Sequence, residues 1–291
     1  MRVSLRIPAG PCIVAAHIMD RQQLIQTMQQ MGVHSRKGMG QNFLYDDAVL
    51  TQIAAAGFPE PADHILEIGP GLGTLTGALM KLGTRVTVME LDPRFAQRLG
   101  DLYGQNPNFT LIQGDALQKL PAFLAENGPV KIIANIPYNI SSPLVEIFCE
   151  HSDRLRLVVL TIQKEMAQRL CAKTRTKEYG ALSVLVQLRF RTEYVADILR
   201  DKFFPSPAVD SAIARLTPQG PDAPRVRDMR RFRSLVRQGF TERRKMLKNR
   251  LAVPEGFDLA GALTAIGATP MARAEELSVG QWVELCKLLD G

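Results

Sequence analysis

The chain has 291 residues, of which 46% are hydrophobic, and 36 Lys and Arg against 29 Asp and Glu give it a formal charge of +7. That length accommodates one large domain plus a small one, and the composition is that of an ordinary globular protein. Four scattered cysteines without a CxxC pair, four histidines without an HExxH arrangement, and no apolar run near the roughly 18–20 residues of a membrane span argue against a disulfide frame, a metal site and a membrane protein.

Taken in chain order, residues 1–19 form an extension with Arg2 and Arg6, no acid, and Pro8 and Pro11 to interrupt any helix; they are expected to be disordered. A helix follows over Asp20–Met31, with Leu24, Ile25, Met28 and Met31 on one face and Gly32 ending it. Beyond a basic, glycine-rich loop from Ser35 to Phe43, a second helix covers Asp46–Ala56. Strand and helix patterns then alternate. Strands are expected at His64–Ile68, Arg85–Glu90, Phe109–Gln113, Val130–Ala134 and Leu157–Ile162. Helices fit at Thr74–Lys81, Arg94–Leu102, Leu117–Glu126 and Pro143–Cys149. Such alternation predicts an α/β fold with a doubly wound, mostly parallel sheet. Gly180–Leu188 fits either element, while Arg191–Leu199 and Asp210–Leu216 alternate and close the sheet as an antiparallel pair at one edge. Pro218, Gly220, Pro221 and Pro224 mark a linker, after which helical spacing of Phe232, Leu235, Val236 and Phe240 announces a small all-helical domain over 225–291.

The positive charge is concentrated in that last segment. From Arg225 to Arg250, eleven Lys and Arg stand against Asp228 and Glu242, a net of +9, so the remainder of the chain carries about −2. A localised basic segment is the footprint expected of a nucleic-acid contact, with a solvated helix face as the bland alternative.

Four strand ends carry chemistry. After the first parallel strand, Gly69, Gly71 and Gly73 are spaced G-x-G-x-G, tighter than the dinucleotide G-x-G-x-x-G, and suit a ligand without phosphates. Glu90 ends the second strand, where a carboxylate can take both hydroxyls of a ribose. Asp115, in Gly114-Asp115-Ala116, ends the third and can accept the amino group of an adenine, although a cap role is as good a reading; Asp92 has the same cap reading. Asn135-Ile136-Pro137-Tyr138 ends the fourth. An amide oxygen and a backbone carbonyl there can accept the two hydrogens of an exocyclic amine while Tyr138 stacks on the base. Together these point to an adenosine-containing ligand beside a pocket for a nucleic-acid base.

With these motifs the chain resembles the ribosomal RNA adenine N6-dimethyltransferases, the kasugamycin-resistance family. The resemblance runs over roughly residues 20–290. It is carried by Lys37-x-x-Gly40-Gln41-Asn42-Phe43, Glu67-Ile68-Gly69-Pro70-Gly71-Leu72-Gly73-Thr74-Leu75-Thr76, Glu90-Leu91-Asp92, Gly114-Asp115-Ala116, Asn135-Ile136-Pro137-Tyr138-Asn139-Ile140-Ser141, Gln163-Lys164-Glu165, Phe203-Phe204-Pro205-Ser206-Pro207-Ala208-Val209-Asp210-Ser211 and Arg243-Arg244-Lys245-Met246-Leu247. It implies a Rossmann-like methyltransferase domain over 20–218 and S-adenosylmethionine as methyl donor. Asn42 and Leu44 are implied in the loop that closes over the donor. Gly69 and Gly71 belong to its amino-acid end, Glu90 to the ribose, and Asp115 with Ala116 to the adenine. Asn135 lies between donor and target base. Catalysis falls to Asn135, Ile136, Pro137 and Tyr138. Phe203 and Phe204 flank the base, and Lys37, Arg243, Arg244, Lys245 and Lys248 touch RNA.

The implied substrate is a pair of adjacent adenines in the 3′-terminal hairpin of small-subunit rRNA, within an assembling subunit, for a cytoplasmic monomer. A large-subunit dimethyltransferase of the macrolide-resistance type shares the fourth motif but typically carries a Ser-Gly-Lys-Gly type cofactor loop. A mitochondrial relative that doubles as a transcription factor, a non-catalytic assembly factor and a nicotinamide oxidoreductase are the remaining alternatives.

Overall fold

The structure, a computed structural model, describes residues 19–33, 42–221, 223–242 and 245–290. The expected extension over 1–19 lies outside the described residues except for Met19, which is buried against the first helix. The elements in chain order are α1 (Arg21–Gln30), β1 (Phe43–Leu44), α2 (Asp47–Ala56), β2 (His64–Ile68), α3 (Thr74–Met80), β3 (Arg85–Glu90), α4 (Pro93–Tyr103), β4 (Phe109–Gln113), α5 (Ala116–Asn127), β5 (Val130–Asn135), α6 (Ser141–Glu150), β6 (Leu155–Gln163), α7 (Lys164–Cys171), α8 (Ala181–Gln187), β7 (Phe190–Ile198), β8 (Phe203–Phe204), β9 (Ser211–Pro218), α9 (Met229–Phe240), α10 (Leu259–Ala265) and α11 (Val279–Asp290).

Seven strands form one sheet in the order β4-β3-β2-β5-β6-β9-β7, parallel from β4 to β6 and antiparallel at β9 and β7. The inner strands β3, β5 and β6 are buried over most of their length, because helices cover both of their faces. The edge strand β7 alternates instead. One cluster packs α5, α6 and α7 on one side of the sheet, and another packs α2, α3 and α4 on the other. The ambiguous segment resolves as a helix, since Val184 packs with Tyr179 and Leu188 into the C-terminal helical core.

Helix starts follow the sequence closely. Aspartates at 20, 46, 92, 115, 228 and 258 each accept a backbone N–H of the helix that follows. A two-residue ribbon, β1 against β8, pairs Phe43 with Phe204 and Leu44 with Phe203. Elements so short have no readable period, and the sequence gives no sign of them. The ribbon fastens the segment after the basic loop onto the far side of the sheet, where Tyr45 Oη also donates to the carbonyl of Asp201 at 2.6 Å.

Strand direction determines what meets at the site. The carboxyl ends of β2, β3, β4, β5 and β6 share one edge, and the chain turns outward in both directions from β2 and β5, the place where such sheets bind ligands. Because β9 runs the other way, its first residue, Ser211, reaches that same edge opposite Gln163.

Candidate active site

Two adjoining cavities lie along this edge, and both are lined by Gly69, Glu90 and Pro137. The first, of about 80 Å³, is lined further by Asn42, Leu44, Glu67, Gly71, Asn135, Ile136 and Tyr138. The second, of about 530 Å³, adds Ile68, Leu91, Leu117, Gly114, Asp115 and Ala116. That volume and the apolar walls from Ile68, Leu91 and Leu117 suit a flat heterocycle. Glu90 stands where the two meet.

The glycine turn is held by close contacts. Gly69 has φ +67°, and a Cβ there would lie 3.2 Å from Cδ of Pro137. Gly71 has φ +55°, and a Cβ would lie 2.9 Å from the Phe43 ring. A side chain at either position would be strained in the left-handed region and would also push on a neighbouring motif. The glycine turn is thereby packed against both the Pro137 turn and the β1 segment.

Glu90 is 6% exposed and its two carboxylate oxygens accept from Gly71 N at 2.9 Å and Asp92 N at 2.8 Å. Burial raises its pKa, and those N–H groups oppose the rise. Each oxygen retains a lone pair for a ligand hydroxyl. Glu67, on the strand before the glycine turn, is 2% exposed and accepts from Thr76 Oγ1 at 2.6 Å. Burial pushes its carboxyl up to about 8, with the neighbouring Glu90 carboxylate adding to the rise. The sequence signal for Glu67 was a carboxylate in an otherwise apolar strand, His64-Ile65-Leu66-Glu67-Ile68, yet the strand-end reading passed over it. Leu91, a wall of the larger cavity and 68% exposed, carried no signal beyond following Glu90.

Asp115 caps α5 by accepting Leu117 N at 2.9 Å through Oδ1, so the cap reading holds, and the residue also lines the larger cavity. Asp92 likewise caps α4, and it pairs with Arg94 at 2.6 Å.

At the fourth strand end, Asn135 Nδ2 donates to the carbonyl of Asn42 at 3.4 Å, leaving Oδ1 as the acceptor of an amide that lines the smaller cavity. Ile136 buries its side chain, and its N–H donates to the carbonyl of Thr161 at 3.1 Å. Tyr138 is half-buried in a short 3-10 turn, with its phenol oxygen 2.6 Å from Ser211 Oγ. Burial raises the Tyr138 pKa, and the Ser211 bond works against the rise.

The two phenylalanines part company. Phe203 lies in the core, and Phe204 lines neither cavity; it is half-buried against the cluster of Met19, Leu24 and Met28, with the Arg21 guanidinium 5.2 Å above its ring. Lys245 and Lys248 are exposed in the C-terminal helical region and line neither cavity. Lys37, Arg243 and Arg244 lie outside the described residues. The basic segment turns out to be partly engaged within the molecule. Arg231 pairs with Asp290 at 2.9 Å, Arg233 with Glu150 at 3.0 Å and Arg237 with Glu146 at 3.3 Å, and Arg250 pairs with Glu242. The middle two tie α9 to α6. Among the described residues no group of His, Cys, Asp or Glu is arranged to hold a metal ion, and no helix is long and apolar enough to cross a membrane.

An open α/β sheet in this order, with a glycine turn and a ribose-type carboxylate beside an Asn-Ile-Pro-Tyr strand end, defines a Rossmann-like methyltransferase. A family model described as ribosomal RNA adenine dimethylase matches residues 32–291, and the chain belongs to that family. A ribosomal RNA small subunit methyltransferase A from Trichormus variabilis is 40% identical over 268 residues, covering 88% of this chain and 98% of the relative. The protein of that name from Synechocystis sp. is 40% identical over 283 residues, covering 89% of this chain and 98% of the relative. Among solved structures, a dimethyladenosine transferase from Plasmodium falciparum superposes with TM-score 0.69 at 26% identity, covering 84% of this chain and 95% of that one. The 23S rRNA methyltransferase ErmE superposes with TM-score 0.66 at 29% identity, covering 86% and 100%.

Proposed function

We propose that this protein uses S-adenosylmethionine to dimethylate the N6 amino groups of two adjacent adenines in the 3′-terminal hairpin of small-subunit rRNA. The observation that carries the reading is the junction at Glu90, where a nucleoside-sized cavity adjoins one lined by Asn135, Ile136 and Tyr138. The residues fit the donor. Asp115 and Ala116 line the cavity for its adenine, Glu90 stands where its ribose belongs, and Gly69 and Gly71 leave room for its amino-acid end, with Asn42 and Leu44 closing over it. When bound, S-adenosylmethionine supplies a methyl group on a sulfonium, already a strong electrophile.

The exocyclic amine of adenine is a weak nucleophile because its lone pair is delocalised into the ring. Asn135 Oδ1 and the Ile136 carbonyl accept its two hydrogens and favour the pyramidal nitrogen that methyl transfer requires. Pro137 fixes the turn between them, packed on Gly69, so that acceptors and donor site are in register. Tyr138 stacks on the target base, which must first leave its own stack. Among the described residues no histidine or cysteine lines either cavity, and the surplus proton departs to water after transfer.

Residues 20–218 make up the methyltransferase domain and 225–291 the helical RNA-binding domain. Lys37, Arg243, Arg244, Lys245 and Lys248 contact phosphate, the pairing of Arg233 and Arg237 with α6 leaving them a smaller share. The protein works as a monomer in the cytoplasm on an assembling small subunit. A large-subunit target is the second reading, prompted by the likeness to a 23S rRNA enzyme; the small-subunit relatives at 40% identity, against 29%, favour the first.

Asn135→Ala separates chemistry from recognition. Methylation of unmodified small subunits should disappear while their equilibrium binding is kept. Equal collapse of binding would give Asn135 a structural role and remove it from catalysis.

A further inference from the structure

The motif from Phe203 to Ser211 ends on a residue to which the mechanism above gives no part. Ser211 is fully buried, the first residue of β9, with Gln163 of β6 opposite it on one side and Ile198 of β7 on the other. Its hydroxyl lies 2.6 Å from the phenol of Tyr138 across 73 residues of sequence. Tyr138 itself sits in a three-residue 3-10 turn without a side-chain cap. That turn runs directly into α6, which anchors its backbone, and the far end of the ring is bonded to a strand held by neighbours on both sides. We infer that Ser211 is a positioning residue that fixes the ring of Tyr138, and that its effect falls chiefly on the second of the two methyl transfers to each adenine.

The asymmetry follows from counting hydrogens, and it rests on the adenine-dimethylation reading. An unmodified amine offers two N–H groups, one each for Asn135 Oδ1 and the Ile136 carbonyl. A monomethylated amine offers one. The tether that is lost leaves stacking on Tyr138 to hold the base in line, so a ring free to tilt harms the second transfer more than the first.

Ser211→Ala and Tyr138→Phe remove the same bond by opposite ends, and Tyr138→Phe keeps the stacking ring. Single-turnover methylation of small subunits, followed by digestion and chromatography, reads N6-methyladenosine against N6,N6-dimethyladenosine. Both variants should slow the second transfer about fivefold relative to the first, the size of one lost hydrogen bond, with the monomethyl product accumulating and KM for the subunit little changed. The double variant should match the singles, because the bond is already absent in each. An unchanged product ratio in both singles overturns the inference. So does an equal slowing of both transfers accompanied by a lower Tm, the mark of a merely structural role, or a double variant whose defect is the product of the two. Absence of any dimethyladenosine with the unmodified protein would instead remove the reading on which it rests.

Discussion

The two halves of the candidate site are built in different ways. On the donor half, the carboxylates are held within two to nineteen residues of sequence: Glu90 by Asp92 N two residues on and Gly71 N nineteen back, Asp115 by Leu117 N two on, and Glu67 by Thr76 nine on. On the base half, the ties span the molecule. Asn135 meets Asn42 across 93 residues, and Tyr138 meets Ser211 across 73. Carboxylates placed by strand ends and adjacent caps are set when the sheet forms, while the glycine turn between them leans on distant partners, Pro137 and Phe43. A base site made of distant partners depends on the whole edge being assembled, and small displacements there alter alignment without unfolding anything.

This contrast can be broken most severely at Glu90. Glu90→Ala removes the carboxylate proposed to accept the ribose hydroxyls and leaves two N–H groups without a partner. S-adenosylmethionine affinity should fall at least about 100-fold by isothermal titration calorimetry, the equivalent of one or two hydrogen bonds to a charged group. Tyr138→Ala acts on the other half. Its kcat/KM for small subunits should drop by about 10- to 100-fold, the worth of stacking one base, with donor affinity unchanged. A matching loss of donor affinity would mean that the two halves are not separable.

A pH series sharpens the donor half further. The Glu67 carboxyl is raised to about 8 from an ordinary 4.5, so above pH 4.5 the unfolded chain releases a proton that the folded chain keeps. Stability contributed by this group is therefore present below about pH 4.5 and lost as the pH rises towards 8. Glu67→Gln, which can still accept from Thr76, should flatten the decline of Tm across that window and raise Tm at pH 8. The smallest effect is expected at the helical region. Arg233→Ala or Arg237→Ala breaks a partly exposed pair with α6 and should lower stability by no more than about 1 kcal/mol in urea titrations.

The same contrast explains what could be read from the sequence. The parallel strands β2, β3 and β4 were legible to the residue, because each is a short apolar run bounded by glycine, proline or an aspartate cap. The places of Gly69, Glu90, Asp115 and Asn135 at the ends of successive strands, lining the cavities there, were legible with them, since the topology brings strand ends to one edge. The β1–β8 ribbon was not, for two residues carry no period, and α8 was not, for its seven residues fit either element until Tyr179 and Leu188 pack beside it. Ser211 was visible only as the end of a motif. Its bond to Tyr138 exists because β9 runs antiparallel and brings its first residue to the shared edge. The charge of the basic segment was legible, but its pairing was not, because Glu146 and Glu150 lie on a helix far away in sequence.

The central claim is that this edge delivers methyl groups to adenines of small-subunit rRNA. It is tested most directly by incubating the protein with methyl-labelled S-adenosylmethionine and unmodified small or large ribosomal subunits, then resolving the digested nucleosides. The account predicts label in N6,N6-dimethyladenosine from small subunits alone. Label confined to large-subunit RNA, or none from either despite tight binding of the small subunit, would contradict it.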